Sequence, residues 1–107
     1  KDKPKIYQNF NEDFTIIMHK KDKDGEIRKI EKIVPKNNVN KLLRWIETFN
    51  KGEEHSCHEV AKVLGFKKWK DLWRERKIYF DSYYYPIKVL EALDLINYSG
   101  NGKISLK

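Results

Sequence analysis

Between Ser82 and Leu106 the hydrophobic spacing changes once, from helical to alternating, and the rest of the chain can be read outward from that change. Projected at about 100° per residue, Tyr83, Pro86, Ile87, Val89, Leu90 and Leu93 crowd one side of a helix, while Tyr84, Lys88 and Glu91 lie opposite. After Leu95 the period drops to two over Ile96, Asn97 and Tyr98. Ser99-Gly100-Asn101-Gly102 then supplies residues that tolerate positive φ, and Lys103-Ile104-Ser105-Leu106 alternates again. One helix running directly into a β-hairpin is the economical reading.

A second helical stripe, Val39, Leu42, Leu43, Ile46 and Phe49, follows Asn38 as a candidate N-cap, with Trp45 at its margin and Asn50-Lys51-Gly52 at its stop. Ser56 and Glu59 form a capping box for a shorter helix through Val60, Ala61, Val63 and Leu64, which Gly65 is placed to end. Nearer the start, Phe14–Lys20 alternates as a strand, with Phe14, Ile16 and Met18 on one face and Thr15, Ile17 and His19 on the other. Asp22-Lys23-Asp24-Gly25 reads as a turn. The return limb, Glu26–Val34, has spacing that a helix would also satisfy, but its β-branched content and the preceding Asp-Gly favour a strand. Pro35 ends it.

The run LEALDLINYSGNGKISL resembles the end of a winged helix-turn-helix domain, in which a recognition helix closes on an apolar Leu-Ile pair and turns into the wing. The resemblance covers Ser82–Leu106 well and the preceding forty or so residues more loosely. HEVAKVLGF is its second point: Ala61 followed four positions later by Gly65 suits two helices crossing closely and a turn of positive φ. The resemblance implies nucleic-acid binding, most often to DNA, with protein contact as the known exception. The expected fold is α+β: a winged helix-turn-helix with an additional helix before the recognition helix and an N-terminal β-hairpin. The expected division is a flexible polar arm over 1–13, with Ile6, Tyr7 and Phe10 as possible anchors, the hairpin over 14–35, and the winged-helix domain over 36–107. Two registers are open. The recognition helix is either Lys67–Lys77 or the later helix from about Ser82, and the later one is favoured because it alone runs straight into the wing.

Composition narrows the partners. The chain has 107 residues, enough for one modest core, with 39% hydrophobic and 36% charged residues and a net charge of +7. That balance points to acidic partners, nucleic acid first and an acidic protein surface second. No apolar run approaches the roughly 20 residues that span a bilayer and no signal-peptide pattern opens the chain, so a soluble cytoplasmic, nucleoid-associated protein is expected. A lone cysteine, Cys57, excludes an internal disulfide framework.

The candidate contacts fall in three groups. Lys67–Lys77 carries six cations against two acids, and with Trp69, Leu72, Trp73 and the Arg76 stem toward the core, Lys67, Lys70, Arg74 and Lys77 form one outward stripe, with Lys68 beside it. Such a stripe can follow phosphates; the bland reading is a solvated face with pairs such as Lys67 with Asp71. Ser82, Tyr84, Tyr85 and Lys88 project from the groove-facing end of the later helix, with Tyr83 assigned to the core. Asn101 and Lys103 sit at the wing tip. His55, Cys57 and His58 match no common metal-ligand set, no cofactor motif is present, and no catalytic constellation stands out, so an enzyme is not expected. Double-stranded DNA bound by a homodimer in transcriptional regulation or DNA organisation is the leading expectation. Protein assembly and single-stranded nucleic acid are the alternatives.

Overall fold

The computed structural model describes residues 9–107, which fold as an α+β structure with a β-hairpin, several short helices and a small sheet. The expectations for residues 1–8, Ile6 and Tyr7 among them, lie outside the described residues. The remainder of the arm is docked. Phe10 donates its N–H to Asn40 Oδ1 (2.9 Å) and accepts from Asn40 Nδ2 (3.1 Å), while its ring meets Phe14 edge-on at 5.0 Å.

β1 (Phe14–Lys21) and β2 (Ile27–Val34) pair antiparallel, with Met18 opposite Ile30 and Phe14 opposite Val34. The return limb is therefore a strand. Gly25 takes φ +83° in the turn, and Asp22 Oδ1 accepts from the N–H groups of Asp24 and Glu26. Phe14, Ile16, Met18, Ile30 and Val34 face inward, whereas Ile17, Ile27 and Ile33 stand outside at 53%, 70% and 71% exposure.

α1 (Lys36–Ile46) buries Val39, Leu42, Leu43 and Ile46, as its stripe requires. It begins two residues before the expected Asn38 cap. Pro35 directs the chain into the helix, and the Asp13 carboxylate accepts from Lys36 N–H at 2.9 Å, so a cap from 23 residues away leaves Asn38 free for another task. Its Nδ2 donates to the Asp81 carbonyl, joining α1 to the later helical segment.

After α1 come β3 (His55–Ser56) and α2 (His58–Val63). Ser56 Oγ accepts from His58 N–H and Glu59 accepts from Ser56 N–H, the reciprocal bonding of a capping box. Gly65 at φ +90° ends α2, with Phe66 N–H bonded to the Ala61 carbonyl and Gly65 N–H to that of Lys62.

The helix expected over 67–77 is instead divided. α3 (Trp69–Arg74) stops at Glu75 (ψ 75°), and α4 (Arg76–Ile78) leads through a π-helical turn (Tyr79–Tyr84) into α5 (Tyr85–Ala92). An unbroken helix would place Arg76 on the same side as Leu72, Tyr79 and Tyr83, and burying an unpaired guanidinium is costly. The break turns Arg76 outward. Trp69 and Leu72 supply the inward-facing bulk, and Trp73, expected in the core, is 51% exposed. Pro86 follows the π-turn without a capped start; the widened turn accommodates a residue that lacks an N–H and crowds the carbonyl four positions back.

α5 buries Pro86, Ile87, Val89 and Leu90, but Leu93 lies past its end and is 42% exposed. Asp94, at φ 65°, closes the helix, with Leu95 N–H bonded to the Leu90 carbonyl. β4 (Ile96–Tyr98) and β5 (Lys103–Leu106) form the hairpin expected from the sequence, and β5 also pairs with β3, giving the sheet order β3-β5-β4. Tyr83, the tyrosine expected in the core, is 1% exposed and shares a 2.8 Å hydroxyl hydrogen bond with Tyr98. No helix of the described residues is long and apolar enough to cross a membrane.

Candidate nucleic-acid interface

The expected stripe of Lys67, Lys70, Arg74 and Lys77 does not run along one axis. Lys67 and Lys68 are exposed on the approach to α3, and Lys70 and Arg74 are exposed one turn apart on it. Lys77 lies beyond the break at Glu75, where its Nζ pairs with Asp81 at 3.0 Å. The same break that turns Arg76 to solvent moves Lys77 off the α3 axis. Four cations thus stay together on and before α3, and none of those four is ion-paired among the described residues.

Ser82, Tyr84, Tyr85 and Lys88 lie on the π-turn and the first turns of α5, all half-buried. Tyr84, Tyr85 and Lys88 line a recess of about 220 Å³ whose other wall is Ile16–Met18 of β1. The hairpin base therefore stands beside this end of the helix. Lys88 Nζ lies 5.6 Å from the ring centres of both Tyr84 and Tyr98 and 3.6 Å from Glu91. Asn101 and Lys103 are exposed at the β4–β5 turn, where Asn101 Oδ1 accepts from Ser99 Oγ and the Lys103 N–H donates to the same hydroxyl. Burial raises the phenol pKa of Tyr79, Tyr83 and Tyr85, reinforced at Tyr83 by the Tyr98 hydrogen bond and at Tyr85 by Asp81, so all three remain neutral donors at physiological pH.

Three features escape a reading of the sequence alone. Arg76 lies 4.7, 5.0 and 4.9 Å from the ring centres of Trp73, Tyr79 and Phe80. Lys20 and Lys32, on the inner face of the hairpin, come to the same cleft as Tyr84 and Tyr85. His55, which the sequence suggests only as a metal ligand, stacks on Phe49 at 3.7 Å and bonds to Glu59 (3.1 Å) and Glu53. Two of these have a signal in the sequence: the period-two register of β1 and β2, and Arg76 spaced three or four residues from each of its rings.

Partial desolvation, the largest influence on His55, lowers its pKa. The hydrogen bonds to Glu59 and Glu53 and their charges outweigh it, and the pKa is raised. A raised folded-state value means that the protonated ring stabilises the fold below the unfolded value of about 6.5, and that this contribution is lost as pH rises through the folded value. The melting midpoint is expected to be about 2 °C higher at pH 6 than at pH 8, scaled to an exposed pair, and this difference should disappear in His55→Gln. Scanning calorimetry at the two pH values tests this; a midpoint that rises with pH in the parent would contradict it.

Comparison with known proteins found no matching family model, no matching curated protein and no matching solved structure.

Proposed function

We propose that the chain is a winged helix-turn-helix protein that binds double-stranded DNA as a homodimer, acting as a transcriptional regulator or DNA-organising factor in the cytoplasm at the nucleoid. The observation that carries this reading is a single run of structure. α2 ends at Gly65, exposed cations surround α3, and α5 passes directly into the β4–β5 ribbon, which is tied back to the start of α2 through β3. Lys67, Lys68, Lys70 and Arg74 supply phosphate attraction, with Asn101 and Lys103 extending it at the wing. Tyr84, Tyr85 and Lys88 are half-buried and Lys88 is paired with Glu91, so their reach to base edges is limited and duplex binding is dominated by phosphates and shape. Ile17, Ile27 and Ile33 on the outer face of the hairpin support self-association.

The test is titration of a random-sequence duplex across a salt series. Four α3 contacts predict a log–log slope of roughly −3.6. The exposed isoleucines, which suit contact with protein, and the exposed cations around α3, which suit an acidic one, favour a second reading in which the fold docks onto an acidic protein surface. No duplex binding at low salt would select it. For the dimer, sedimentation is expected to give a two-chain species that becomes a single chain in Ile17→Glu/Ile33→Glu; a parent that sediments as a monomer with and without DNA sinks this part.

A further inference from the structure

The inner face of the hairpin and the aromatic side of the π-turn do not close on each other. Between them lies a cleft of about 520 Å³, with Met18 and Ile30 on one wall and Phe80, Tyr84 and Tyr85 on the other. It adjoins the smaller recess beside Lys88, and the two share Met18, Tyr84 and Tyr85. Exposed Lys20 and Lys32 also line the larger cleft, and no carboxylate lines either space among the described residues. Lys20 and Lys32 are thus the charged groups at the larger cleft, while Lys88 of the smaller recess is paired with Glu91 just outside it.

The aromatic wall continues outside the cleft. Phe80 stands 5.5 Å from Tyr85 and 5.6 Å from Tyr84, and the Arg76 guanidinium covers both Phe80 and Trp73. Trp73, Arg76, Phe80 and Tyr85 make a file of flat groups, with half-exposed Trp73 at the outer end. Nucleobases are flat and apolar on their faces, and each is joined to an anionic phosphate. A file of rings with cations alongside is the surface that recognises them when they are unpaired, because stacking needs a free face and a flexible backbone. A duplex cannot offer its base faces to such a file, and an acidic peptide would leave the rings unused.

We propose that this cleft, with the Trp73–Arg76–Phe80 stack leading to it, binds an unpaired nucleic-acid strand, its bases on the rings and its phosphates toward Lys20 and Lys32. The site meets the duplex surface at Trp73, which lies on α3, but its cations, Lys20 and Lys32, stand on the hairpin, apart from the Lys67, Lys68, Lys70 and Arg74 group and from the wing. The protein therefore has one surface for a duplex and another for a single strand, as a protein acting at a junction between the two requires.

The test is fluorescence anisotropy with labelled dT15, U15 and a 15-base-pair duplex, on the full chain and on two variants made at exposed positions, Trp73→Ala and Lys20→Glu/Lys32→Glu. Circular dichroism confirms that each is folded. Binding of dT15 or U15 is expected in the parent. Trp73→Ala should weaken it about tenfold, and the lysine pair should flatten its salt slope by roughly 1.4. The duplex affinity of the Lys20→Glu/Lys32→Glu variant should stay within about twofold of the parent. Absence of single-strand binding at low salt, or single-strand binding unmoved by either variant, overturns the proposal. Parallel loss of strand and duplex in the lysine variant also overturns it, since the hairpin would then be a general electrostatic contact. So does competition by poly-glutamate at equal charge as effective as that by dT15. Failure of duplex binding with single-strand binding intact removes the duplex reading and leaves this one standing.

Discussion

Gly102→Ala is expected to lower folding stability by about 2–5 kcal/mol, a large share of the 5–15 kcal/mol typical of a domain. Two costs combine. Gly102 has φ +79°, where an L side chain is strained by roughly 1–2 kcal/mol. A Cβ built there would lie 2.7 Å from Cys57 Sγ, and Cys57 is buried, so the sulfur cannot swing aside into solvent; forced overpacking of this kind adds about 1–3 kcal/mol. The position also matters for the site. The Gly102 carbonyl accepts Cys57 N–H at 2.8 Å, the bond that fixes the β4–β5 turn to the start of α2. Urea denaturation of the four-member cycle with Cys57→Ala separates the terms. In the Cys57→Ala background the glycine substitution should retain its conformational cost and lose most of the steric one, a coupling of at least about 1 kcal/mol. Equal costs in both backgrounds would mean that the sulfur is not the obstacle. A cost below about 0.5 kcal/mol would refute the turn geometry itself.

The parts of the fold that depend on local periodicity are legible in the sequence. The alternation of Phe14, Ile16 and Met18, the stripe from Val39 to Phe49, the glycine stop at Gly65 and the helix-to-hairpin change after Leu95 each follow from spacing within a dozen residues. What the sequence hides depends on distant partners. Asn38 has the chemistry of a cap, but Asp13 reaches the helix start first, and no window around Asn38 contains that fact. The two-residue β3 is too short for any period and exists because β5 has a free edge beside it. Lys67–Lys77 has a fair helical pattern, and only the burial of Tyr79 and Tyr83 against Trp69 makes an unbroken helix costly by pointing Arg76 inward. The candidate site is hidden for the same reason. The exposure of its cations is legible, but their alignment presumes a helix that in fact ends at Glu75, and the hairpin wall facing Tyr84 and Tyr85 lies more than sixty residues away in sequence.

Because the break leaves Lys70 and Arg74 one turn apart on α3, Lys70→Glu/Arg74→Glu is the substitution expected to act most strongly on duplex binding. Each phosphate left without its cation takes about 0.9 from the slope of log affinity against log salt, so the pair should flatten it by roughly 1.8. Reversed charges also repel the backbone, and at low salt the affinity should fall by about two orders of magnitude. Both side chains are exposed and outside the core, so the stability change should stay within about 0.5 kcal/mol. A matched control is Lys41→Glu/Lys51→Glu, on α1 and the turn after it. Both double variants take the net charge from +7 to +3, so an effect of overall charge would appear equally in the two. Duplex titration at several salt concentrations distinguishes the outcomes. A loss confined to the α3 pair assigns the phosphate contact to that helix. Equal losses mean a diffuse field with no docked helix, and no loss in either hands the α3 cations to a protein partner, because four adjacent unpaired cations that ignore phosphate need another acidic surface to explain their grouping.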